Sequence, residues 1–121
     1  TCRPISNRPS VPSDRYIVVL TTFPADGDAE AVARTLVEEH LAACVNILPP
    51  MASVYRWQGA VETADEVPLW IKTTAERYPA LEQAVRSVHP YELPEIVAVP
   101  IERGLPAYLA WVSGETGGGH G

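Results

Sequence analysis

The stretch CVNILPPMASVYRWQGAVETADEVPLWIKTT, residues 44–74 of the 121-residue chain, holds extended segments that face one another across a turn. One arm runs from Cys44 to Leu48, breaks at Pro49 and Pro50, and resumes from Ser53 to Gly59. A turn near Gly59-Ala60 sends the chain back as a strand from Val61 to Thr74. Neither Pro49 nor Pro50 can donate to a ladder, so the pair marks a bend, a bulge or an exposed edge. Extended at ~3.3 Å per residue, the arm from Cys44 to Gly59 spans roughly 50 Å. A folded chain of this length is only about 35 Å across. The hairpin therefore curls over its own core or protrudes. It carries Val54, Tyr55, Trp57, Val67, Leu69, Trp70 and Ile71, more apolar surface than an isolated two-stranded arm keeps in water. The expectation is an obligate homo-oligomer whose sister chains cover the arm, with Trp57 and Trp70 in packing roles; a curled hairpin in a monomer is the alternative.

Outward from the hairpin, the pattern on both sides is regular. Upstream, Tyr16 to Leu20 is a continuous, largely β-branched run, the mark of a central strand buried on both faces. After a turn, Asp28 is a candidate N-cap for a helix from Ala29 to Ala43. There Ala29, Val32, Ala33, Leu36, Val37 and Leu41 recur at three- and four-residue steps. Downstream, a second helix opens near Thr73-Thr74 with Pro79 in its first turn. Leu81, Ala84, Val85 and Val88 form its apolar stripe. A strand from Ile96 to Ile101 follows, with Val97 and Val99 alternating with Ala98 and Pro100; Leu105, Tyr108, Leu109 and Val112 mark a short final helix. Strand, helix, strand, strand, helix, strand is the order of an α+β, ferredoxin-like split βαβ sandwich. Here a long β-hairpin and a C-terminal helix are added. Its antiparallel sheet carries the helices on one face, and the other face needs cover, a second reason to expect self-association. The folded domain is expected over 15–113, between a flexible, proline-rich tail at 1–14 and a flexible, glycine-rich tail at 114–121.

A net charge of −6 and a single lysine, Lys72, argue against nucleic-acid binding, which requires clustered cations. No apolar run reaches the ~18 residues of a membrane span, and no signal-peptide core is visible, so a cytoplasmic location is expected. The two cysteines, Cys2 and Cys44, show no CxxC spacing; Cys44, entering an apolar run, reads as a small buried hydrophobe.

The connection HPYELPE, residues 89–95, is stiffened by Pro90 and Pro94 and holds an imidazole, a phenol and two carboxylates in one short arc. These groups either cap the helix and bond the loop, or face a ligand or a neighbouring subunit.

LAACVNILP (41–49), SVYRWQG (53–59), LWIKTT (69–74), HPYELPEI (89–96) and YLAWV (108–112), in this order and spacing, make the chain resemble the CutA divalent-cation tolerance proteins. The likeness spans about Tyr16 to Trp111. It implies a ferredoxin-like subunit in a tight homotrimer whose long strands pair across subunit boundaries. It also implies an association with tolerance to copper and other divalent metals, and an architecture similar to the trimeric PII signalling proteins. His89, Pro90, Tyr91, Pro94 and Glu95 match the family's His-Pro-Tyr-x-x-Pro-Glu motif, and Lys72 with Thr73 its Lys-Thr. Where some bacterial relatives look able to hold copper through a Cys and a His, this chain has Thr21 and Val88, and so lacks the two best soft ligands.

Three kinds of site follow. A divalent metal, copper(II) or zinc, could be held by His89 with Glu92 or Glu95, with no cofactor otherwise required. A small anion or a regulatory partner could instead sit between subunits on Lys72 and Tyr91, although Lys72 pairing with Glu95 or another carboxylate explains that lysine equally well. A pair formed by His40 and Cys44 could grip a metal if both lay on one helix, or act as base and nucleophile. A cysteine at the mouth of an apolar strand lacks the surroundings that lower a thiol pKa, and with no Gly-rich phosphate loop or HExxH motif the chain reads as a non-enzyme.

Overall fold

The computed structural model describes residues 15–117. Both tail expectations therefore fall largely outside the described residues, as do Cys2 and His120. Nine elements follow one another: β1 (Tyr16–Pro24), α1 (Ala29–Glu38), β2 (Cys44–Ile47), β3 (Met51–Trp57), β4 (Ala60–Thr74), a 3-10 turn (Ala75–Arg77), α2 (Tyr78–Val88), β5 (Ile96–Pro100) and α3 (Pro106–Glu115).

One antiparallel sheet in the order β2-β4-β1-β5 holds them together, with β3 continuing along the edge of β4 beyond β2. The 15-residue β4 is its spine. Its second half pairs β1 on one side and β2 on the other, while its first half pairs β3. The proline break explains the split. Pro68 lies in β4 opposite Thr22, and its carbonyl accepts from Leu48 on the far edge. In an antiparallel strand the N–H points the same way as the carbonyl of that residue. The donor that Pro68 lacks therefore falls where Pro49 and Pro50 have already ended the ladder. At the tip, Trp57 pairs Ala60 across Gln58 (φ 51°) and Gly59 (φ 85°), the two left-handed residues of a type I′ turn.

Alternation along the strands sorts side chains between the two faces. Ile17, Val19 and Phe23 of β1 and Leu69 and Ile71 of β4 meet Leu36 of α1 and Leu81 and Val85 of α2 in one core. Leu69, Ile71, Leu81 and Val85 are completely buried, each worth roughly 1.5–3 kcal/mol of apolar transfer. The other face keeps Val18, Leu20, Trp70, Val97 and Val99. Only its near end is approached by α3, where Ser113 bonds the Tyr16 hydroxyl at 2.8 Å.

Several expectations shift. Val97 and Val99 alternate as read, but on the open face, where both are exposed. Val37 and Val88 sit at the rims of their helical stripes and are exposed as well. Cys44 is half-exposed rather than buried, because its side chain lies on the open face near Asn46 and Tyr108. Helix α1 stops at Glu38, not Ala43. His40 turns left-handed (φ 62°), and the Leu41 and His40 amides bond the Leu36 and Val37 carbonyls in a Schellman cap. α3 runs to Glu115 and Thr116 is buried, so the folded unit extends beyond residue 113.

Candidate functional site

His89 ends α2 in extended geometry because the proline after it excludes helical space. The ring then folds back under the loop. Nε2 lies 2.6 Å from the Thr22 carbonyl, and Nδ1 accepts the Tyr91 amide at 3.1 Å. A carbonyl only accepts and an amide N–H only donates, so the pair of bonds selects the Nε2–H tautomer and uses both nitrogens. The ring stacks on Phe23 at 4.3 Å and 26°, and touches Tyr91 at 4.8 Å. His89 is thus a bracket between β1 and the loop. It offers no nitrogen to a metal ion, which corrects its expected role as a ligand.

Above it, Tyr91 donates its hydroxyl to Oε2 of Glu66 at 2.9 Å, and Ser53 donates to Oε1 at 2.7 Å. Glu66 stands where β4 passes from β3 to β1, opposite both Met51 and Pro24, and is only 8% exposed. Partial burial, the hydrogen bond to Glu66 and its negative charge push the Tyr91 phenol up to about 12.

These contacts form the floor of a cleft of about 520 Å³. Tyr55, Arg56 and Trp57 of the hairpin make one wall, Pro90 to Leu93 and Glu95 the other, with Thr22 and Glu66 beneath. Three of the five expected site residues, Tyr91, Glu92 and Glu95, do come together. Lys72 does not. It shares a face with Glu66 but lies six residues along β4, about 20 Å at strand rise. Its ammonium bonds the side chain of Asn46. The expected pairing of Lys72 with Glu95 or another carboxylate is likewise not formed, since the only ion pair among the described residues is Arg34 with Glu30.

His40 and Cys44 do not meet, because His40 Nδ1 turns to the Glu115 carbonyl at 3.0 Å. Thr21 is buried with its hydroxyl unpartnered among the described residues, and Val88 is an exposed aliphatic. Neither these two nor His89 fits a copper(I) centre. Glu66, Ser53, Tyr55 and Trp57 were invisible as site residues in the sequence. Only strand register brings them under the loop, and no local motif announces it.

A ferredoxin-like α+β domain with an open cleft between its hairpin and its α2–β5 loop is the class defined by this fold and geometry. The profile of the CutA1 divalent ion tolerance protein family matches residues 17–115, and the chain belongs to that family. A divalent-cation tolerance protein CutA of Thermus thermophilus is 50% identical over 83% of this chain and 97% of its own. The Thermus thermophilus structure superposes with a TM-score of 0.81 at 49% identity, covering 84% of this chain and 99% of that one. A structure from Archaeoglobus fulgidus, described as a periplasmic divalent cation tolerance protein, gives 0.80 at 38% identity, with coverages of 84% and 98%. One from Nostoc, described as a PII-like protein CutA, gives 0.77 at 40%, with coverages of 83% and 96%.

Proposed function

We propose that this chain is the subunit of a homotrimer that serves the response to divalent metal ions as a non-enzymatic binding protein, with the cleft over Glu66 as its ligand site. The observation that carries the reading is Glu66 itself. A buried carboxylate at the base of an open cleft, held by two hydroxyls and, among the described residues, by no cation, is costly to keep unless something positive comes to it. Self-association is supported by the open sheet face and by exposed Val54, Val61, Trp70 and Val97, an apolar expanse that a soluble monomer rarely leaves uncovered. The names of the relatives supply the link to divalent cations and to PII-like architecture.

Charge decides between the ligands expected from sequence. Lys72 is remote from the cleft, which holds Glu66, Glu92 and Glu95 against Arg56, so an anion has little to bind. A copper(II) or zinc ion would have Glu92 and Glu95 for ligands, two carboxylates on an open rim, which makes a weak site. Cys44, in no disulfide among the described residues, suits a reducing, cytoplasmic home; cell fractionation tests that placement.

A thermal-shift panel of divalent chlorides and small charged metabolites, run on the wild type and on Glu66→Gln, tests the cleft. A true ligand at 100 times its Kd stabilises the wild type by about 2.7 kcal/mol and the variant much less. Identical responses of the two proteins to every compound would reject the site.

A further inference from the structure

Glu66 receives one hydroxyl on each carboxylate oxygen, from Ser53 and from Tyr91. Those donors satisfy hydrogen bonding, but among the described residues no cation pairs with the negative charge. Arg56 lines the same cleft yet makes no ion pair with it. Around this charge stand three aromatic side chains, Tyr55, Trp57 and Tyr91.

Building on the cleft as a ligand site, we propose that its ligand is a small organic cation, an aliphatic ammonium or guanidinium compound, seated over Glu66 among Tyr55, Trp57 and Tyr91. A bare divalent ion needs four or more ligands converging at about 2.0–2.6 Å. No group of three His, Cys, Asp or Glu side chains among the described residues is placed to supply them. An alkylammonium or guanidinium asks for less. It donates charge-assisted hydrogen bonds of about 2.7–2.9 Å to carboxylates with free lone pairs, and lays its charge within ~6 Å of ring faces. Glu92 and Glu95 on the rim can take the second charge of a diamine. The volume of about 520 Å³ lies inside the roughly 300–1,000 Å³ range of small-molecule clefts.

Isothermal titration calorimetry of putrescine and of agmatine into the intact oligomer tests the assignment, with magnesium and zinc chlorides as parallel arms. Saturable binding of at least one organic cation, one per chain, is expected. Glu66→Gln, which keeps an acceptor but loses the charge, should weaken it about tenfold or more. Glu95→Gln should weaken it less, and Arg56→Gln should strengthen it by removing a like charge. If Glu66→Gln fails to fold, the two rim variants carry the comparison.

No saturable heat from either organic cation overturns the proposal, as does organic-cation binding that none of the variants alters, since that is general attraction to an acidic chain. Binding of a metal alone, lost in Glu66→Gln, also overturns it while leaving the cleft as the ligand site. If organic cations and metals alike fail to distinguish the wild type from the variants, the cleft reading falls too.

Discussion

The Tyr91 hydroxyl donates to Glu66 across 2.9 Å and 25 positions of sequence, fastening the α2–β5 loop to the strand that carries the hairpin. Partial burial and the neighbouring carboxylate raise this phenol from 10.0 to about 12. The folded value lies above the unfolded one. The bond's contribution is therefore complete below about pH 10 and is lost as pH rises from there through about 12. Tyrosinate absorbance should show one phenol ionising near pH 12 in the wild type, absent in Tyr91→Phe. Over the same interval the wild type should lose more stability than the variant.

His89→Ala removes two hydrogen bonds worth about 1 kcal/mol each and a stacked contact worth roughly 0.5–1.5 kcal/mol. Urea denaturation at fixed protein concentration should therefore show a loss of about 2–4 kcal/mol. Divalent-metal affinity should be the same in both proteins, because neither ring nitrogen is available. A variant as stable as the wild type but weaker for zinc would restore the imidazole as a ligand.

Thr21 is 1% exposed and its hydroxyl has no partner among the described residues. Thr21→Val keeps the shape and removes the stranded group, so it should stabilise the protein by about 1 kcal/mol. A drop in thermal midpoint instead would mean that the assembled protein supplies the hydroxyl with a partner.

The hairpin tip offers a change of known sign. Gln58 carries a side chain at φ 51°, beside Gly59 at φ 85°. Asparagine tolerates that conformation better, so Gln58→Asn should gain a few tenths of a kcal/mol and Gly59→Ala should lose about 1 kcal/mol. Paired thermal melts check both.

Much of this architecture is legible in the residues. The apolar periods of α1 and α2, the central run of β1 and the proline break in the long arm each carry a local physical reason, and the sheet repeats them. Faces and ends are harder. The alternation of Val97 and Val99 is plain in the sequence, but nothing in it says which side of the sheet they take. His40 closes α1 in a conformation usually given to glycine, so the helix end has no marker. The loop half of the cleft could be read because Pro90 and Pro94 stiffen it. The strand half could not: Glu66 is one of several acidic residues between Glu62 and Glu66. Only its register opposite Pro24 and Met51 brings it beneath Tyr91. His89 shows the same limit, since a sequence displays an imidazole but not what its nitrogens already hold.

Sedimentation equilibrium on the wild-type chain at nanomolar concentration tests most directly the claim that sister copies cover the open sheet face and the long hairpin. The proposal predicts a species of about 39 kDa, three times the 13.1 kDa chain, persisting on dilution and falling apart only as the protein unfolds. A folded, stable monomer would contradict it.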